Sequence, residues 1–192
     1  MGILVFLSRA EPYRTGQQEF LKALRNYLEQ RGLEPHTVGE TDFGMDGMRE
    51  IRGLLMRSHG LLSVAFRKLV VQKGQERPDP DVDLAKAQQV PLENPTWLTS
   101  PWCHMETAMA FQLGLPILLA VEEGVRLEGV LEGGVLTQHP PTFKVRSRRK
   151  NLDSFFTDTQ KWRQLSATWE GEVREVVRAR SSPPRLFGCT HG

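Results

Sequence analysis

Three short apolar runs, at residues 3–7, 61–66 and 116–121, punctuate the first two thirds of the chain, and each has the length of a strand. A run that is apolar on both faces suits a parallel strand covered by helices on each side. The intervening segments carry helical spacing. From 15 to 31, Phe20, Leu24, Tyr27, Leu28 and Arg31 recur at three and four, and Gly32 stands where a helix terminator belongs. A weaker strand at 34–38 and a polar, glycine-bearing loop at 39–47 follow. A helix over about 46–58 then presents Met48, Ile51, Leu54 and Leu55 on one stripe. The alternation predicts an α/β fold, a doubly wound, mostly parallel sheet with right-handed crossovers. Ligands of such sheets bind beyond the carboxyl ends of the strands, at the topological switch point. The segments to inspect are therefore 8–15, 39–47, the stretch after Phe66, and 121 onward.

The segment 67–99 breaks this rhythm, being long, charged and interrupted by Pro78, Pro80, Pro91 and Pro95. Loops of that length are functional lids or insertions, and a short helix near 83–89 is expected to divide this one. Past Gly134 the pattern weakens, with a strand expected at 142–145. A helix follows over 153–180 with Trp162, Leu165, Trp169, Val173, Val176 and Val177 as its stripe, and the tail SSPPRLFGCTHG is expected to fray. This organisation gives an α/β domain over 1–145, including the insertion 67–99, and a C-terminal helical extension with tail over 146–192.

A chain of 192 residues supports one well-buried domain with additions. Its formal charge of +2 is local: Lys144, Arg146, Arg148, Arg149 and Lys150 are five of its 25 basic residues, so the remainder sums to −3. No aromatic residue interleaves that run, which reads as a solvated junction and points away from nucleic acid as a partner. No apolar run approaches the roughly 18 residues of a membrane span. Two cysteines, Cys103 and Cys189, make no disulfide framework, and the amino terminus lacks signal-peptide features, so a cytoplasmic protein without membrane contact is expected. His104 stands two residues before Glu106, but no PCxxC follows and Cys103, Cys189 and His191 lack ligand spacing, so no metal site is expected. GxSxG, Walker A and GxGxxG motifs are absent.

The chemistry concentrates in TSPWCHMETAMAFQLGLP, residues 99–116. Ser100 is a good N-cap and Pro101 a good first helical residue, which fixes the helix start. On a 3.6-residue wheel Trp102, Glu106, Met109, Ala110 and Leu113 share a face, placing a lone carboxylate on an apolar stripe. Such a group is desolvated and its pKa rises unless a partner or ligand hydroxyl engages it. From the residues alone, a salt-bridged or rim-exposed glutamate remains the other reading.

The string SPWCHME, ahead of a small-residue helix and the strand PILLAV, resembles the SxWCxxE signature of Toll/interleukin-1 receptor (TIR) domains. The order around it agrees: an opening strand reaching Ser8, an amphipathic helix closed by Gly32, a polar loop, and a helix ending IxxLLxxS from Ile51 to Ser58. The resemblance covers roughly residues 1 to 125 and implies the five-stranded flavodoxin-like sheet of that superfamily. In enzymatic TIR domains, and in the similar nucleoside deoxyribosyltransferases, the helix glutamate acts at the anomeric carbon of a ribosyl group; here that residue is Glu106. The resemblance thus implies an NAD glycohydrolase or cyclase of bacterial defence or signalling. It takes NAD as substrate, needs no cofactor, and is activated by self-association or a partner protein. Ser8 and Arg9 would meet ribose or phosphate, Phe43 would flank the nucleotide from its loop, and Trp102 would wall the ribose. Two alternatives stay open: a non-catalytic TIR-like module that binds a nucleotide or another TIR-like domain, and a nucleoside 2-deoxyribosyltransferase-like enzyme. The chain departs from the pattern in lacking an acidic residue at the opening strand, in carrying Phe66 and Arg67 where Ser is common, and in the insertion itself.

Overall fold

The computed structural model describes residues 2–39, 46–79, 81, 89–92, 95–137, 139–145 and 159–180. In chain order these form β1 (Ile3–Arg9), α1 (Thr15–Glu29), β2 (Leu33–His36), α2 (Gly47–Arg57) and β3 (Leu61–Ala65). The insertion contributes β4 (Leu69–Val71), β5 (Gln75–Glu76), β6 (Val90–Pro91) and β7 (Thr96–Leu98). Then come α3 (Pro101–Gln112), β8 (Ile117–Glu122), a 3-10 turn at Gly129–Leu131, β9 (Thr142–Phe143) and α4 (Gln160–Arg180).

The main sheet has five strands in the order β2-β1-β3-β8-β9, every neighbouring pair parallel. This is the expected doubly wound α/β fold, with the switch point between β1 and β3, where the chain turns from one edge of the sheet to the other. Pro35 is accommodated because β2 is an edge strand. Alternation along the strands divides the side chains between two layers. Val5, Leu7, Leu62, Val64, Leu118 and Ala120 pack against Phe20, Leu24 and Leu28 of α1. Phe6 and Leu61 face the other way, onto Ile51, Leu54 and Leu55 of α2 and Ala110 of α3.

The C-terminal helix belongs to the first of these cores. Trp162, Trp169 and Val173 are buried in the same cluster as β1 and α1, and Trp169 Nε1 donates to the Pro116 carbonyl at 3.1 Å. Gly60 permits this closeness, because a Cβ there would lie 2.5 Å from Val173 Cγ2.

The described residues of the insertion include two antiparallel strand pairs. β4 pairs antiparallel with β7, and β5 with β6. β7 is also tied to the body by a bridge between Trp97 and Val125 and by the Arg126 N–H, which donates to the Trp97 carbonyl at 2.8 Å. The short strands are visible in LVV and TWL, but the prolines and charges between them mask the pairing. The expected helix near 83–89, the basic run beyond Val145, the first part of the expected 153–180 helix and the tail lie outside the described residues.

Candidate active site

The switch point is roofed by α3. Ser100 caps the helix by accepting from the Trp102 N–H at 3.4 Å, and Pro101 takes the first position, where no amide donor is needed. The helix turns Cys103, Glu106, Thr107 and Ala110 inward. The buried face is therefore rotated from the expected stripe, leaving Trp102 44% and Leu113 38% exposed. Small side chains explain the rotation: Cys103 approaches the sheet closely enough for its Sγ to meet the Val64 carbonyl at 3.7 Å, which Trp102 could not do.

Glu106 is 8% exposed, and among the described residues the groups set against its carboxyl are the Ser8 hydroxyl and the Arg9 charge. Burial pushes its carboxyl up to about 7, while the nearby Ser8 hydroxyl and the Arg9 charge draw it partway back. Ser8 and Arg9 end β1, in register with Ser63 and Val64 of β3, so both strands of the switch point feed this spot. The Arg9 side chain is almost fully buried, with Nη1 2.9 Å from Oε2 of the exposed Glu11. Cys103 is a free, buried thiol raised to about 11, first by burial and then by the negative Glu106 beside it. At that value it is no nucleophile at neutral pH.

The hydroxyls of Ser8, Ser63, Thr99 and Thr107 are buried without a hydrogen-bond partner among the described residues. Buried polar atoms are ordinarily satisfied, and these hydroxyls, on β1, β3, α3 and the residue before its cap, give the layer between sheet and α3 unused capacity for ordered water or a polar ligand; Ser8 is the one set against Glu106. Thr99, Ser63 and Thr107 went unremarked in the sequence because a lone Ser or Thr in an apolar segment carries no pattern. Phe43 lies outside the described residues. Of the residues expected at the site, Ser8, Arg9 and Glu106 are brought together, and Trp102 lies one turn before Glu106 at the helix surface.

A second buried carboxylate, Glu122, ends β8. Its Oε2 accepts from the Arg67 N–H at 2.9 Å and from Gln17 Nε2 at 3.0 Å, and Arg14 Nη1 lies 3.7 Å from Oε1. Alternation places Glu122 with Leu118 and Ala120 on the α1 side of the sheet, whereas Glu106 lies on the α3 side. The two therefore do not flank one substrate as the acid and base of an ordinary glycosidase do. Its signal in the sequence was a lone Glu closing an apolar strand.

Cavities of about 460 Å³, between the insertion and the turn after β8, and about 620 Å³, between the end of α3 and α4, are not lined by Glu106. Among the described residues no group of three or more His, Cys, Asp or Glu is arranged to hold a metal ion, and no helix is long and apolar enough to cross a membrane.

No protein-family model matches the chain, and no curated protein does. Among solved structures, the CMP N-glycosidase BcmB of Clostridium botulinum is similar at a TM-score of 0.45 and 14% identity, over 80% of this chain and 95% of that one.

Proposed function

We propose that the chain is an N-glycosidase that cleaves the nicotinamide–ribose bond of NAD, with Glu106 as its catalytic carboxylate. One observation carries the reading: a buried carboxylate with no ion-pair partner among the described residues stands at the switch point of a doubly wound sheet, beside the Ser8 hydroxyl. A salt-bridged structural glutamate would have a cation on it.

The chemistry suits one carboxylate. When the C–N bond breaks, its electron pair goes to the pyridinium nitrogen and nicotinamide leaves neutral, so no acid need protonate it. Positive charge grows at the anomeric carbon, where ionised Glu106 stabilises it through space or captures it as a transient ester. Water then attacks and releases a proton, giving ADP-ribose; attack by a hydroxyl of the same molecule gives a cyclic product. A cationic substrate also favours the charged carboxylate, opposing the burial that raises it. Ser8 and Arg9 serve ribose and phosphate, and Trp102 and Phe43 flank them. Activation by self-association and a role in defence or signalling belong to the same proposal.

Purified protein incubated with NAD over a range of concentrations, with nicotinamide followed by chromatography, tests it. Release by the wild type that falls to background in Glu106→Gln is expected. Equal consumption by both removes Glu106 from the chemistry. NAD binding without turnover at every concentration leaves a nucleotide-binding module.

A further inference from the structure

We infer that the cleft of about 460 Å³ between the insertion and the turn after β8 is a second ligand site, for a planar base bearing a phosphate. Its volume falls within the range of small-molecule sites, roughly 300–1,000 Å³. Its apolar wall includes Pro91, Leu92 and Leu127, with Trp97 as the aromatic surface, and the paired Glu76 and Arg126 also line it.

The platform is rigid. Trp97 pairs with Val70 in the β4–β7 ladder, bridges to Val125, and accepts at its carbonyl from the Arg126 N–H. An aromatic side chain held at its own backbone loses little freedom when a base stacks on it, and stacking needs no particular base.

The charge comes from Arg67. Its guanidinium lies over one face of the Trp97 ring, 5.4 Å from the centroid, and Nε donates to the Glu123 carbonyl at 2.7 Å. The turn leaves room for it: Gly124 has φ +84, and a Cβ there would stand 2.3 Å from Arg67 Nη2. No carboxylate pairs with this guanidinium among the described residues, so its terminal nitrogens keep their donors for an anion. Arg126 differs, being matched by Glu76 and Glu128. Arg67, which does not itself line the cleft, is thus a cation without a carboxylate among the described residues, next to two lining residues, Trp97 and Gly124. A fixed aromatic surface beside an uncompensated guanidinium recognises a ring and a phosphate together.

The site shares no residue with Ser8, Arg9, Trp102 and Glu106, so it stands whatever Glu106 does. Binding of AMP, adenosine and inorganic phosphate to the full chain carrying Glu106→Gln, measured by calorimetry, tests it. AMP is expected to bind more tightly than adenosine, and phosphate alone weakly. Trp97→Leu and Arg67→Gln are each expected to weaken AMP by about tenfold or more, while Trp97→Phe, which keeps a stacking ring, retains binding. The inference is overturned if AMP does not bind, or if Trp97→Leu and Arg67→Gln bind it as the parent does. It is likewise overturned if Trp97→Phe loses binding as fully as Trp97→Leu, or if Trp102→Ala removes it while Trp97→Leu does not, which moves the ligand to Glu106.

Discussion

Replacing Glu106 with Gln should make the protein more stable, and only above mildly acidic pH. The carboxyl titrates at about 7 in the folded chain against 4.5 as a free side chain, with burial the leading cause. Below pH 4.5 both folded and unfolded forms carry the proton, and Glu106 contributes no pH dependence. Between 4.5 and 7 the unfolded chain has released its proton while the folded one retains it, so stability falls as pH rises; above 7 the loss is complete. The shift corresponds to about 3 kcal/mol at 1.36 kcal/mol per pH unit. Gln has the same shape and does not titrate. Urea unfolding of wild type and Glu106→Gln should therefore give nearly equal free energies at pH 4.5 and a gap approaching about 3 kcal/mol at pH 8.5. For a domain of this size that is roughly 6–12 °C in Tm. A stabilised inactive variant is the mark of a group held at a cost for function. If the two proteins lose stability in parallel over this range, or if Glu106→Gln is the weaker at pH 8.5, the buried carboxyl is compensated and the reasoning fails.

Other tests address the chemistry and the scaffold. If Glu106 acts ionised, kcat/KM for nicotinamide release should rise with pH to a plateau near 7, about tenfold per unit below it; a rate that falls through 7 would assign it the role of proton donor instead. Gly60→Ala should destabilise by about 1–3 kcal/mol through its clash with Val173, and adding Val173→Ala should recover part of the loss in a urea double-mutant cycle. Glu122→Ala strips the acceptor from Gln17 and the Arg67 N–H and should cost roughly 1–3 kcal/mol in the same assay without shifting the pH–rate profile. Ser100→Ala should cost about 1 kcal/mol through loss of the cap on α3.

The parallel sheet was legible because its strands are apolar on both faces, and α1 because Phe20, Leu24 and Leu28 keep strict helical spacing before Gly32. The start of α3 was legible in Ser-Pro, a local signal that no tertiary contact needs to override. Its orientation was not. A wheel ranks faces by hydrophobicity and favours Trp102 and Leu113, but the sheet beneath selects side chains small enough to approach it, Cys103 and Thr107. The insertion hid for a related reason: β5 and β6 are two residues each, too short for alternation to register. That Arg67 has no carboxylate among the described residues while Arg126 has two depends on pairings between distant segments, which no spacing along the chain encodes.

The two buried glutamates show what separates structure from chemistry in this fold. Glu122 is 3% exposed and Glu106 8%, so burial alone does not distinguish them. Their surroundings do. Glu122 receives a backbone N–H, a side-chain amide and a nearby guanidinium, from two segments that its carboxylate thereby ties together: the loop after β3 and the start of α1. A carboxylate so supplied has partners from the fold itself on both oxygens, which is the pattern of a structural tie. Glu106 has only the Ser8 hydroxyl and the charge of Arg9 to offset its burial, and Arg9 also pairs with Glu11. Folding leaves it without the compensation that Glu122 receives, and a ligand that brings positive charge and hydroxyls would supply it. The proton on Glu106 then reports occupancy: a cationic ribosyl substrate should expel it, whereas a neutral nucleoside should leave it bound near pH 6. Proton release on binding, measured by calorimetry in buffers of different ionisation enthalpy with a non-hydrolysable NAD analogue that keeps the pyridinium charge, distinguishes the two. No release at pH 6 would remove the cationic substrate from this site.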